Sequence, residues 1–351
     1  MRLDAAYLND VAKQSGFDPY NVEKILRLKE LLREFLRHPF LKGKLVLKGG
    51  TGINVFLFEL PRLSIDVDLN YIGQVDRDRM QAERPEVERA VEQIALGLGY
   101  RTHAGKNDWA LKEFHLSFNN HAKRADHLQV EVNFLMRICA LPPQSLKAIQ
   151  LADEAPCEFP VLAIEELMAG KLKAMIERSH PRDLYDLYRF SQAGVNYDSE
   201  LLTKLTVLFA STLAHDLRTY TLDRYDRVER EDIERLLYPL LRSGDRPTPE
   251  NMRAAIRPLL VSVLAHAKEK TYLEAMARGE YRPELLFPNR PDTVDGLRGI
   301  PPRCGRRPMS PSISHDRDRP AESESTGNEK QVAESLRRSN SVASVARTFA
   351  V

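Results

Sequence analysis

Leu45-Val46-Leu47-Lys48-Gly49-Gly50-Thr51, followed by Arg62-Leu63-Ser64-Ile65-Asp66-Val67-Asp68-Leu69, is the stretch whose reading decides how this chain folds. Leu45 to Leu47 is a short apolar run that predicts a strand. The run breaks at Gly49-Gly50-Thr51 and resumes as Ile53-Asn54-Val55-Phe56-Leu57-Phe58, which reads as a helix. Ile65 to Leu69 alternates apolar and acidic residues, the period of a half-buried strand. Successive strand side chains take opposite faces, so Asp66 and Asp68 point the same way. Two carboxylates side by side repel, and a divalent cation offsets that cost. Mg²⁺ favours carboxylate and phosphate oxygens, and paired metals clamp the attacking and leaving oxygens of a phosphoryl-type displacement. The glycines let a ligand approach the backbone, and the start of the following helix offers free N–H groups to an anion. The Thr51 hydroxyl adds a donor. A triphosphate can therefore lie on this turn, with its metals on Asp66 and Asp68. A Gly-Gly turn or an Asp-x-Asp pair alone is ordinary; strand, Gly-Gly-Thr, helix and acidic strand in that order is much rarer.

Working outward, Val22, Ile25, Leu26, Leu32 and Phe35 fall at helical spacing over 22–36. Residues 85–98 read as another helix, and 111–118 and 128–135 as further strands of the same sheet. Residues 1–155 are thus a mixed α/β domain. Pro142-Pro143, Pro156 and Pro160 punctuate a connection. From Ile164 to about Met276 the pattern is almost wholly helical, giving an all-α domain over 160–290. Residues 300–351 are rich in Ser, Arg, Pro and Glu and poor in large apolar residues, and are expected to be a disordered tail. The expected fold is α+β: a mixed sheet with helices, then an all-α domain, then the tail. With 351 residues, 42% hydrophobic and 29% charged, the composition is that of a globular protein. No run approaches the ~20 apolar residues of a membrane span, and the N-terminus lacks the apolar core of a signal peptide. A cytoplasmic protein without a membrane partner is expected. Cys139, Cys157 and Cys304 show no CxxC spacing, which argues against a zinc site or a disulfide framework. A net charge of +2 does not announce a nucleic-acid binder.

A second constellation lies in the helical half. Ile164, Leu167, Met168, Leu172 and Met175 form one stripe, and Lys171 falls inside it, with Arg178 on the same side. An inward lysine is costly without an anion. Two readings stand: a lysine snorkelling at a domain seam, or a phosphate-binding lysine aimed at the cleft. Pro181-Arg182-Asp183 opens the next helix, where proline and an acidic residue suit the first turn. Asp183 shares a face with Leu187 and Phe190, and Asp186 lies one turn on. Elsewhere, Gln129-Val130-Glu131-Val132-Asn133-Phe134 alternates. If this strand lies beside the Asp66 strand, Glu131 can join a metal site; a solvated Glu on an open face is the equal alternative. His103, His115, His121 and His127 show no ligand spacing and read as surface or packing residues.

The run Leu47-Lys48-Gly49-Gly50-Thr51-Gly52 with Arg62-x-Ser64-x-Asp66-x-Asp68 resembles the first motif of the AbiEii-type nucleotidyltransferases. These are toxin halves of type IV toxin–antitoxin and abortive-infection systems, within the DNA-polymerase-β-like superfamily. Lys171-Leu172-x-Ala174 with Arg178 resembles their second motif, and Arg182-Asp183-x-x-Asp186-Leu187 their third. Two features depart from the superfamily pattern: a longer gap from Thr51 to Asp66, and Glu131 where Asp is common. The resemblance implies a polymerase-β-like fold and a Mg²⁺-dependent transfer from an NTP, with a two-metal site. It implies nucleotide contacts from Lys48, Gly49, Gly50, Thr51, Ser64, Lys171, Arg178 and Arg182. Asp183 or Asp186 would either orient Lys171 or help deprotonate the acceptor. It further implies an RNA acceptor, a tRNA 3′ end foremost, and a cognate antitoxin. Two alternatives remain: a small-molecule nucleotidyltransferase of the antibiotic-modifying kind, and an inactive nucleotidyltransferase fold kept for binding.

Overall fold

The computed structural model of the chain describes residues 3–298, apart from 214, 223–226, 243 and 268–269. The tail expected to be disordered, 300–351, lies outside the described residues. The sequence opens with helices α1 (Ala5–Ser15) and α2 (Pro19–Arg37). Asp18 caps α2 through the Asn21 N–H, and Pro19 supplies a pre-set first turn. The α2 stripe of Val22, Ile25, Leu26, Leu32 and Phe35 is wholly buried, as its spacing predicts.

Strand β1 (Leu45–Leu47) is buried at every residue, the mark of a central strand. A short helix, α3 (Gly49–Thr51), follows and continues as a π-helical turn (Gly52–Leu57). Strand β2 runs Val67–Tyr71. The strand expected from Ile65 thus starts two residues later, and Asp66 stands just ahead of it. Helix α4 (Arg77–Gly97) leads to β3 (Arg101–Asn107), β4 (Leu111–Asn119) and β5 (Ala125–Asn133). The proline-punctuated connection, expected to be irregular, supplies β6 (Gln144–Lys147) and β7 (Glu158–Val161). β7 meets β1 at a single register pair, Leu47 with Val161, so Pro160 interrupts no longer ladder there.

The seven strands form one mixed sheet in the order β3-β4-β5-β2-β1-β7-β6. β2 is antiparallel to β1 and parallel to β5, which sets Asp68 beside Glu131 and Asn70 beside Asn133. Helices α5 (Ile164–Arg178), α6 (Pro181–Gln192), α7 (Ser199–Ala210), α8 (Arg230–Leu236), α9 (Pro249–Ala267), α10 (Lys270–Ala277) and α11 (Pro291–Arg298) follow. α5 packs on α3, α6 and α7, and α9 packs on α6 and α7. One backbone bond decides where α5 begins: Leu162 N–H donates to Leu47 O at 3.0 Å. The helix that carries Lys171 is thereby anchored where β1 gives way to the Gly-Gly turn. The hydrophobic core runs continuously from Leu8 on α1 to Leu297 on α11. Among the described residues no helix is long and apolar enough to cross a membrane.

Candidate active site

The Gly-Gly turn is built around Asp68. Gly49 has φ +71, a left-handed conformation that favours glycine. A Cβ there would also run into the Asp68 carboxylate, with Cγ only 3.0 Å away. At Gly50 a Cβ would press on Ser64 Oγ at 2.6 Å and on the Arg62 guanidinium at 2.9 Å. Both glycines are thus required by close approach. Thr51 is fully buried, and its hydroxyl donates to Asp66 O at 2.6 Å, with Ser64 Oγ at 3.3 Å. It pins the loop that delivers Asp66 instead of facing a ligand, and Ser64 joins it in that task. Neither Thr51 nor Ser64 is among the residues that line the cavity described below.

Asp68 lines the cavity described below, while Asp66 is exposed at the entrance to β2. Burial pushes the Asp68 carboxyl above its usual range; Lys48 pulls it back, and the Asp66 charge raises it again. Glu131, across the β2–β5 register, is also raised by burial, with Lys48 opposing and Asp68 adding. Lys48 Nζ sits 3.4 Å from Glu131 Oε1, so the carboxylate expected as a third metal ligand is engaged by a lysine. Among the described residues no three His, Cys, Asp or Glu side chains gather as a ready metal cage.

Facing this turn is an ionic network built on two buried carboxylates. Lys171 Nζ lies 2.9 Å from both Asp183 Oδ1 and Asp186 Oδ2. Arg178 forks onto Asp183, Nε to Oδ2 at 2.7 Å and an Nη to Oδ1 at 3.1 Å. Arg62 forks onto Asp186 with two 2.6 Å bonds. Asn54 donates to both Gly50 O at 2.9 Å and Asp186 Oδ1 at 3.1 Å, tying network to turn. Three cations around two carboxylates leave one positive charge in excess. Asp183 and Asp186 are fully buried. Burial alone would raise them, but Lys171 and Arg178 hold Asp183 below the usual carboxylate range, and Arg62 and Lys171 hold Asp186 far below it. Such carboxylates are poor bases and do not reach the cavity. Both carboxylates hold Lys171 directly.

A cavity of about 420 Å³ lies between the two clusters. Lys48, Gly49, Gly50 and Asp68 line it, together with Lys171 and Arg178. Asn70, Asn133 and Glu166 also line it, with apolar residues that include Leu135, Met136 and Phe209. Glu166 accepts the Leu141 N–H at 3.2 Å, and burial pushes its carboxyl up to about 7. Arg182, expected at the cleft, does not line this cavity; its backbone N–H donates to His180 Nδ1 at 3.2 Å.

Arg62 and Asn54 were not foreseen as site residues. The signal for Arg62 was an arginine inside the apolar stretch Leu60-Pro61-Arg62-Leu63, where burial demands a carboxylate partner. Asn54 carried none beyond its place one helical turn after Gly50.

The model of the family described as "Nucleotidyl transferase AbiEii toxin, Type IV TA system" matches residues 30–276, which hold both clusters and the cavity. The chain belongs to this AbiEii family of nucleotidyltransferase toxins. Its fold is similar to that of MenT4, a nucleotidyltransferase toxin from Mycobacterium tuberculosis H37Rv, with a TM-score of 0.58 and 20% identity. That match covers 84% of this chain and 98% of MenT4. JHP933 from Helicobacter pylori aligns with a TM-score of 0.45 and 14% identity, over 72% of this chain and 97% of its own. No curated protein matches the chain. As an AbiEii-family nucleotidyltransferase, the chain is an enzyme, and the mixed sheet with its helical partner is the family's nucleotidyltransferase fold.

Proposed function

We propose that this nucleotidyltransferase toxin takes an NTP in the 420 Å³ cavity and, with Mg²⁺, transfers its nucleotide to an RNA 3′ end, that of tRNA foremost. The observation that carries the reading is Lys171, held by two buried aspartates in the lining of the same cavity as Gly49, Gly50 and Asp68. Two of its three N–H donors are committed, which fixes the ammonium and leaves one for a phosphate oxygen. Arg178 adds a second cation to the lining, and Lys48 a third. Gly49 and Gly50 line the same cavity, within reach of the phosphates.

The donor set suits Mg²⁺: Asp68 is a hard oxygen ligand raised by burial and by Asp66, the state a cation relieves. Asp66 and Asp68 would hold the ion, which would supply charge neutralisation on the triphosphate and activation of the attacking hydroxyl. Lys171 and Arg178 neutralise charge that develops on the leaving phosphates. The cationic wall favours a polyanionic acceptor, more weakly as salt rises. In this reading the enzyme acts in the cytoplasm and is restrained by a cognate antitoxin. The experiment is incubation with each labelled NTP, Mg²⁺ and total RNA. Label should enter RNA 3′ ends, above all tRNA, and chelator should stop it. Label that enters only small molecules, or that persists in chelator, would overturn the acceptor or the metal respectively.

A further inference from the structure

Beyond the phosphate end of the cavity, one polar side chain is buried without a partner. Asn70 lies on β2 two residues after Asp68, lines the cavity, and is 4% exposed. Its Oδ1 has no hydrogen-bond partner among the described residues. Asn133, its register neighbour on β5, also lines the cavity, but its Oδ1 accepts the Leu135 and Met136 N–H groups at 2.9 Å. Asn133 therefore serves the turn that ends β5, and Asn70 serves nothing within the chain that its oxygen records. A buried acceptor left unpaired is costly, and such groups call for an explanation.

Residues two apart on a strand share a face about 6.6 Å apart. Asp68 and Asn70 therefore look into one cavity, with Asn70 one step further from the Gly-Gly turn. With the triphosphate on that turn, the first polar group a nucleotide offers beyond its phosphates is the sugar. A hydroxyl both donates and accepts, so it pairs with either end of an amide. The lining beyond, Leu135, Met136 and Phe209, suits a base ring.

We infer that Asn70 binds a ribose hydroxyl of the incoming NTP and makes the enzyme select ribonucleotides over deoxyribonucleotides. The inference rests on the NTP site proposed above and adds a sugar-selecting residue to it.

The test compares kcat/KM for an accepted NTP with that for its 2′-deoxy and 3′-deoxy forms, in wild type, Asn70→Leu and Asn70→Ser, all full-length. Wild type should disfavour at least one deoxy form about tenfold, the scale of one hydrogen bond in a buried site. Asn70→Leu should lose about tenfold on the ribonucleotide, treat ribo and deoxy forms alike, and melt no lower than wild type, since it removes a buried acceptor oxygen that has no partner. Asn70→Ser keeps a hydroxyl donor and acceptor and should retain partial selectivity. Wild type that uses all three sugars equally, or Asn70→Leu that keeps wild-type selectivity, overturns the inference while leaving the NTP site standing. Absence of transfer from any NTP by wild type overturns the site itself, and the inference with it.

Discussion

The molecule holds two pairs of aspartates, and their surroundings are opposite. Asp183 and Asp186 are fully buried, wrapped by Lys171, Arg178 and Arg62, and held below the usual carboxylate range. Asp68 faces the cavity and is raised by burial, with Asp66 exposed beside it and Lys48 as its foremost opposing cation. The first pair is in direct contact with its countercharges; for Asp68 the cations Lys48, Lys171 and Arg178 act at longer range. A carboxylate pair with more cations than it needs is a holding device. One whose cations act from a distance is poised for a ligand that brings its own.

The largest effect should come from breaking the holding pair. Asp186→Ala leaves Arg62 buried without its carboxylate and Lys171 with one partner fewer, and should cost about 3–5 kcal/mol of stability. Denaturant unfolding checks this. A loss near that of an ordinary surface substitution would mean that the network is not what joins α6 to the Gly-Gly turn. The sign with pH follows from the lowered carboxyl. Its stabilisation is present above the unfolded aspartate range and is lost as pH falls through the lower folded one.

A smaller effect is expected at the residue the two clusters share. Lys171→Met removes a charge-assisted phosphate contact worth ~1.5–3 kcal/mol, so transfer should slow about tenfold to a hundredfold. It also leaves Asp183 with Arg178 and Asp186 with Arg62, so the fold should survive. Steady-state kinetics at saturating and limiting NTP check the point. Undiminished transfer would return Lys171 to the role of a snorkelling lysine.

How much was legible in advance follows distance along the chain. Gly49-Gly50-Thr51, the Asp66-x-Asp68 pair and the inward Lys171 are short-range patterns, and their order was readable. The central strands were readable too, because β1 is wholly apolar and β5 alternates. β6 and β7 were not: prolines read as punctuation, and it is their pairing with each other, with one further pair to β1, that makes them strands. The Arg62 fork onto Asp186 spans 124 positions, so the apolar stretch around Arg62 calls for a carboxylate but no local pattern says which. Thr51 shows the converse case. Its motif position suggested a phosphate donor, while the fold gives its hydroxyl to Asp66 O. Asn70 was invisible for the same reason, since a missing partner is seen only once the neighbours are in place.

The contrast between the pairs is tested most directly by Asp68→Asn, read for both melting and nucleotide transfer. A carboxyl raised by folding costs stability once pH exceeds its unfolded range, so the ionised Asp68 weakens the metal-free fold at neutral pH. In chelator at pH 7, Asp68→Asn should therefore melt no lower than wild type, and any gain should shrink as pH falls below the ordinary aspartate range. With Mg²⁺ and NTP, transfer should fall by about 10²–10³, the scale for removing one electrostatic group from a preorganised site. A variant that melts well below wild type in chelator, or that transfers nucleotide at the wild-type rate, would contradict the assignment of Asp68 to the chemistry and of Asp183 and Asp186 to the scaffold.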